Sequence, residues 1–285
     1  MRLVQNLPEM VALAAGWRNQ GQKIALVPTM GWFHAGHLAL MRRARPNAGR
    51  VVVSLFVNPI QFAPGEDLAA YPRDLQRDMD LAAGEEVDVL YAPSATDMYP
   101  SGFQTTIRVA DLGRGLCGAS RPGHFDGVCT VVMKLFHQTQ AHLAVFGEKD
   151  FQQLAVIRRM VKDLDLSIDI VPHPIVREAS GLAMSSRNSY LQEEEMEQAL
   201  CLHCAILLAR KKVKAAVQPL PAAALCLELA ENIRQVPGCV VDYVEIVDAD
   251  SLERCETVGG NSRLILAVKV NEKVRLIDNA GLYEQ

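Results

Sequence analysis

His34 and His37 stand three residues apart in segment 27–40, VPTMGWFHAGHLAL, which follows a short apolar run. Gly31 precedes them and Gly36 lies between them, so the chain can turn tightly there and open a helix. The first turn of a helix presents unpaired amides and a partial positive charge, a setting that favours phosphate. An imidazole held neutral at that point donates a hydrogen bond to a phosphate oxygen without adding a permanent charge. Such donors suit nucleotidyl transfer, in which charge grows on phosphate oxygens as pyrophosphate departs. Two other readings fit the bare pair. Both histidines can be incidental to a turn. Histidines at i and i+3 can also share a metal, although no third His, Cys or acid stands at ligand spacing.

Other segments hold groups that fit the same chemistry. SLFVNPIQF closes an apolar run with Asn58, Pro59 and Gln61. Neutral amides at a strand's carboxyl end can read hydroxyl and carboxylate groups, while Asn-Pro by itself marks only a turn. FGEKDFQQL sets Gly147, Glu148, Lys149 and Asp150 ahead of a helical pattern. There Asp150 is expected as N-cap, Lys149 can reach a triphosphate, and Gln153 faces the same cleft one turn on. The plain alternative is a capped surface helix. GLAMSSRNSYL offers Ser185, Ser186 and Arg187, either a lid that clamps phosphates or a polar linker. GASRPGHFDGV adds Arg121 and His124, which are anion contacts or simply mark a helix start at Pro122.

Two motifs are decoys. GRGLCG, 113–118, spells G-x-G-x-x-G but runs into ASRPGH instead of a helix, with no acidic residue at the required distance. CLHC, 201–204, lies inside a helical pattern without a second pair, which favours buried thiols over zinc. No G-x-x-x-x-G-K-[ST] occurs, which argues against a P-loop kinase.

The elements that must position these groups follow from periodicity. Strand patterns fall at 23–27, 50–57, 87–91, 142–146 and 167–171, alternating with helical patterns at 36–44, 73–83, 126–138 and 150–164. Such alternation predicts an α/β fold, a Rossmann-like doubly wound parallel sheet, with ligands beyond the strands' carboxyl ends. The pattern then changes. A helix over 193–213, a second over 222–234 and strand runs VVDYVEIVDA, RLILAVKV and KVRLIDNA predict a smaller C-terminal α+β domain. The expected division is a catalytic domain 1–185 and a lid domain 186–285.

Size and charge bound the rest. The 285 residues suffice for a substantial core without disulfides or metals. A net charge of −4 argues against a nucleic-acid binder but leaves room for local basic pockets. The N-terminal segment does not read as a signal peptide, and no apolar stretch approaches the ~20 residues that span a bilayer. Seven cysteines, an odd number, fit reduced thiols, so a cytoplasmic protein with no membrane partner is expected.

Taken together, PTMGWFHAGH, FVNPIQF, YPRDLQRD, GASRPGHF, FGEKDFQQLAVIRRMV and MSSRNSYL resemble the pantothenate synthetase (pantoate–β-alanine ligase) family, over nearly all of 20–192, with an echo in VRLIDN near the C-terminus. The resemblance places the chain among H-x-G-H nucleotidylyltransferases, with His34-Ala35-Gly36-His37 as the signature. It implies two steps: pantoate attacks ATP to give pantoyl adenylate and pyrophosphate, then β-alanine attacks to give pantothenate and AMP. It further implies that Met30, Gly31, His34, Gly36 and His37 cradle ATP, with His37 as proton donor and His34 and Lys149 beside it in catalysis. Gly147, Glu148, Lys149, Asp150, Val176, Met184, Ser185, Ser186 and Arg187 should also contact ATP. Gln61 and Gln153 should hold pantoate, with Asn58 as a further amide reader, and Gln61 lies near the path of β-alanine. Magnesium should accompany ATP, with Asp78 as a candidate ligand, and a homodimer is implied. Two positions depart from the family pattern: Cys117 stands where Glu is expected and Asp126 where Arg is expected.

Three rival functions remain open on sequence alone. A cytidylyltransferase shares the H-x-G-H device, a nucleotide-sensing module would bind without turnover, and a metal hydrolase would use His34 and His37 as ligands.

Overall fold

A strand buried on both faces has no solvent side, so its sequence reads as a continuous apolar run. The first part of the chain supplies several. In the computed structural model, which describes residues 1–283, β1 (Arg2–Val4), β2 (Ile24–Thr29), β3 (Arg50–Leu55), β4 (Val89–Tyr91), β5 (Leu143–Gly147) and β6 (Asp169–His173) form one sheet. Its order is β1-β4-β3-β2-β5-β6, and every neighbouring pair is parallel.

Helices α1 (Leu7–Asn19), α2 (Ala35–Ala44), α3 (Leu75–Ala83), α4 (Ala95–Met98), α5 (Cys117–Ser120), α6 (His124–Thr139) and α7 (Phe151–Asp163) fall between the strands. The alternation of side chains along β2 shows why both faces are covered. Ile24 and Leu26 pack with Met10 of α1, Phe136 of α6 and Leu154 of α7. Ala25 and Val27 pack instead with Met41 of α2 and Ala82 of α3. From β2 the sheet runs to β3 on one side and β5 on the other, a topological switch point. The carboxyl ends of β2 and β5 therefore flank the crevice where such sheets bind ligands.

A second compact unit comprises Lys149–Phe151 and the chain from Ile175 onward, the first being Met1–Glu148 with Gln152–Pro174. It contains α8 (Glu193–Ala199), α9 (Cys201–Ala215), α10 (Ala222–Arg234) and an antiparallel sheet β7 (Cys239–Asp248), β8 (Ser262–Val270) and β9 (Val274–Gly281). Its core joins Leu202 and Ile206 of α9 and Leu225 and Leu229 of α10 to Leu264 and Leu266 of β8.

The doubly wound sheet and the smaller α+β unit agree with the sequence reading, and three details differ. The break between units falls at Pro174–Ile175, not near 186. The reason is an ion pair within the second unit, Arg177 to Asp278 at 2.6 Å, which ties the preceding segment to β9. The helix expected over 193–213 is two helices, because Leu200 N–H bonds the Glu197 carbonyl and tightens the turn. β1 and α1 were not anticipated: three residues are too few to show a strand period. Among the described residues, no helix is long and apolar enough to cross a membrane.

Candidate active site

The turn after β2 is built by side-chain hydrogen bonds to its own amides. Thr29 Oγ1 donates to the Ser54 carbonyl at 2.6 Å and accepts from Gly31 N–H at 3.3 Å. Gly31 has φ 88° and Trp32 φ 54°, both left-handed. Glycine adopts that region freely, and Trp32 must be held there. The holding group is Asp78 on α3. Its two carboxylate oxygens accept from Trp32 N–H and Phe33 N–H, each at 2.7 Å. The neighbouring Arg77 donates to the Phe33 carbonyl at 2.8 Å and lies 4.6 Å over the Trp32 ring.

Asp78, the candidate magnesium ligand, acts here as the anchor of the loop. It is 1% exposed, both its oxygens serve backbone amides, and burial pushes its carboxyl up more than those amides and Arg77 pull it down. Among the described residues, no group of three or more His, Cys, Asp or Glu side chains could hold a metal ion.

The turn delivers the chain into α2 with His34 as N-cap. His34 Nδ1 accepts from Gly36 N–H at 3.1 Å, and His37 Nδ1 accepts from His34 N–H at 3.4 Å. This is a reciprocal capping box made of imidazoles, whose ring centroids are 4.1 Å apart. The consequence is chemical. A nitrogen that accepts from a backbone N–H bears no proton, so each neutral ring carries its proton on Nε2.

Asn58 and Gln61, after β3, form one buried amide network. Asn58 Nδ2 donates to Gln61 Oε1 at 3.0 Å and to the Gly127 carbonyl at 3.1 Å, while Tyr99 O–H donates to Asn58 Oδ1 at 2.7 Å. Gln61 Nε2 donates to Met30 Sδ at 3.2 Å, which links the network to the histidine turn. The Gln61 main-chain carbonyl is held from behind by His124 Nδ1 at 2.9 Å and Arg121 at 3.3 Å. Arg121 also makes a bidentate pair with Glu66, at 2.7 and 2.6 Å. Burial alone would push the Glu66 carboxyl up, but the hydrogen bond and charge of Arg121 hold it below the usual carboxylate value. Arg121 and His124, two anion-contact candidates, thus brace Gln61.

At the end of β5, Gly147 leads into a 3₁₀ turn, Glu148–Asp150, that continues directly into α7. The adjacent glutamines differ. Gln152 is buried: its Oε1 accepts from Cys117 N–H at 3.0 Å, and its Nε2 donates to the carbonyls of Leu112 and Gly115 at 2.9 and 2.8 Å. Gln153 is only half-buried. The departures from the family pattern are absorbed locally. Cys117 uses its backbone to bond Gln152, and Asp126 pairs with Arg108 at 2.7 Å.

In the second unit, Lys149 Nζ lies 3.9 Å from Asp150 Oδ2. Val176 and Met184 face each other across a short hairpin, with Met184 N–H donating to the Val176 carbonyl at 2.9 Å. Ser185 caps the next 3₁₀ turn, Ser186–Tyr190, accepting from Arg187 N–H at 3.2 Å. Asn188 anchors it by donating to Glu178 at 2.9 Å and to the Ala183 carbonyl at 3.1 Å.

Sequence reasoning missed Tyr99, Gly127, Gln152 and the anchoring role of Asp78. Gly127, a glycine inside an otherwise bulky apolar helix pattern, was a usable sign of close packing; Tyr99 offered none.

Comparison with known proteins identifies the family. The family model for pantoate-beta-alanine ligase matches residues 2–281. A pantothenate synthetase of Heliobacterium modesticaldum is 52% identical over 279 residues, spanning 98% of this chain and 98% of that protein. The crystal structure of pantothenate synthetase from Thermus thermophilus superposes with a TM-score of 0.92 at 43% identity, covering 100% of both chains. That of the ligase from Francisella tularensis, complexed with beta-gamma ATP and beta-alanine, gives 0.82 at 34% identity, over 100% of this chain and 99% of that one. With a match that runs through both units, the chain belongs to the pantoate–β-alanine ligase family.

Proposed function

We propose that the chain joins pantoate to β-alanine at the expense of ATP, through a pantoyl adenylate. A pantoate carboxylate oxygen attacks the α-phosphorus while the bond to pyrophosphate breaks. The β-alanine amine then attacks the acyl carbon, the bond to AMP breaks, and the amine gives up a proton. A free carboxylate resists the amine because its oxygen is a poor leaving group, and AMP supplies a good one.

The observation behind this reading is the tautomer imposed on His34 and His37. Both Nδ1 atoms accept from backbone amides, so both rings present Nε2–H, a donor that follows phosphate charge as it develops. Met30, Gly31, Gly36, Gly147 and Glu148 of the first unit are assigned to ATP with them. In the second unit the same assignment falls to Lys149, Asp150, Val176, Met184, Ser185, Ser186 and Arg187. Lys149 and Arg187 offset charge on the departing pyrophosphate. Gln61, Gln153 and Asn58 are assigned to pantoate, and Gln61 also to β-alanine. Magnesium accompanies ATP in this scheme, with no side chain of this chain assigned to it. A cytoplasmic homodimer completes the reading, supported by the family resemblance.

Pantoate-dependent exchange of labelled pyrophosphate into ATP, with β-alanine left out, tests the first step. Exchange is expected, and His37→Ala or Lys149→Ala should lower it about 10²–10³-fold. Exchange that ignores pantoate, or its absence from folded protein with magnesium present, would turn the reading toward another substrate or a nucleotide sensor.

A further inference from the structure

Asp278 and Asn279 are neighbours on β9, and each holds one of the segments of the second unit assigned above to ATP. The Asp278 carboxylate accepts from Arg177 at 2.6 and 2.9 Å, and Arg177 also donates to the Gly181 carbonyl at 3.0 Å. That braces the hairpin from which Ser185, Ser186 and Arg187 follow.

Asn279 is 1% exposed. Its Nδ2 donates to the Lys149 carbonyl at 2.9 Å, and its Oδ1 accepts from Arg263 Nε at 2.7 Å. The Arg263 guanidinium in turn lies 4.0 Å over the ring of Phe151. Arginine has no acceptor, so the oxygen of the Asn279 amide must face it and the nitrogen must face Lys149. One planar group thereby acts as acceptor to β8 and donor to the main chain of Lys149. Asparagine meets both demands; aspartate of the same shape meets only the first.

A lysine ammonium rides on a flexible four-carbon stem, so its placement begins with a fixed main chain. We propose that Asn279 is a positioning residue for adenylate formation, holding the Lys149 main chain so that its ammonium meets the phosphates of ATP. The proposal rests on the assignment of Lys149 to ATP. Asn279 itself touches no reacting atom and acts through Lys149.

The test is Asn279→Asp, which keeps the size and the acceptor for Arg263 but sets a carboxylate oxygen against the Lys149 carbonyl. Pantoate-dependent exchange is measured per competent site, the sites being counted by the burst of pyrophosphate formed without β-alanine. The expected result is a rate per competent site lowered about tenfold and a raised KM for ATP, with the KM for pantoate unchanged. A merely structural role would lower the melting temperature and the number of competent sites while leaving each site's rate alone. A wild-type rate per site and ATP KM would overturn the proposal. If the Asp variant yields no competent sites, Asn279→Ser is read by the same criteria. Lys149→Ala, assayed in parallel, separates the two layers. Wild-type exchange in Lys149→Ala removes the ATP assignment and this proposal with it, whereas loss there with none in Asn279→Asp removes the proposal alone.

Discussion

A methyl group placed on Gly127 of α6 would stand 2.7 Å from Cα of Gln61 and 2.5 Å from the carbonyl oxygen of Ile60. Backbone atoms do not tolerate a carbon so close, so one of the two segments must move. The same turn of α6 receives the Asn58 side chain through the Gly127 carbonyl. Gly127→Ala is therefore expected to displace both amides assigned to pantoate. Stability should fall by about 1–3 kcal/mol. The KM for pantoate should rise about tenfold or more while the KM for ATP changes little, if the displaced amides bind uniformly in ground and transition states. Steady-state kinetics with each substrate varied, beside denaturant unfolding, checks this. An unaltered pantoate KM would separate the contact from binding.

Asp78→Asn distinguishes an anchor from a metal ligand. Asparagine has one acceptor oxygen, so its amide nitrogen would face the N–H of Trp32 or Phe33, donor against donor. The side chain is 1% exposed, so its amide has no solvent to turn toward. The expected cost is about 1–3 kcal/mol of stability, with reduced exchange activity. Raising magnesium should leave the defect unchanged; rescue by magnesium would restore the ligand reading.

Legibility differed by the kind of signal. β2, β3 and β5 announced themselves because burial on both faces writes uninterrupted apolar runs, and α10 matched its pattern end to end, Ala222–Arg234. The turn at His34 was legible because glycines flank a histidine pair at a strand end. What Asp78 does was not, since its partners Trp32 and Phe33 lie more than forty positions away and no local pattern reports a long-range contact. The same holds for Asn279 and Lys149, separated by 130 positions. Arg121 was legible as a cation near the site but not as a brace, because its pairing with Glu66 depends on the folded path of 61–66.

The fold should lose stability on mild acidification through His142. Its Nδ1 accepts from Ile24 N–H at 3.1 Å, at the start of the strand that leads to the histidine turn. Burial, with the charges of Arg18 and Lys23, pushes this imidazole below its ordinary value of 6.5. The unfolded chain then binds the proton first as pH falls. Stability is full above about 6.5 and declines from there down to the folded value, after which this group contributes no further slope. His142→Gln, which does not titrate, should flatten that part of the profile. Melting temperatures between pH 7.5 and 5, as a rough working window, give the comparison, and identical slopes in both proteins would rule the residue out.

The adjacent glutamines of α7 should respond oppositely to the same substitution. Gln152 donates to two carbonyls, Leu112 and Gly115, and accepts from Cys117 N–H. Glutamate there would lose both donors and bring a buried charge against two carbonyl oxygens, so Gln152→Glu should cost about 3 kcal/mol or more. Gln153 is half-buried on the same helix, and a carboxylate at its position remains partly solvated. Gln153→Glu should therefore keep a melting temperature near that of the wild type. Its activity should fall nonetheless, because a second carboxylate would face that of pantoate in the proposed assignment. Thermal unfolding and pantoate-dependent exchange on the two single variants decide the matter. The informative result is the crossing: one variant unstable, the other stable but with a raised KM for pantoate. If Gln153→Glu binds pantoate as the wild type does, the amide at 153 is not a pantoate contact, and recognition of that substrate falls to Asn58 and Gln61.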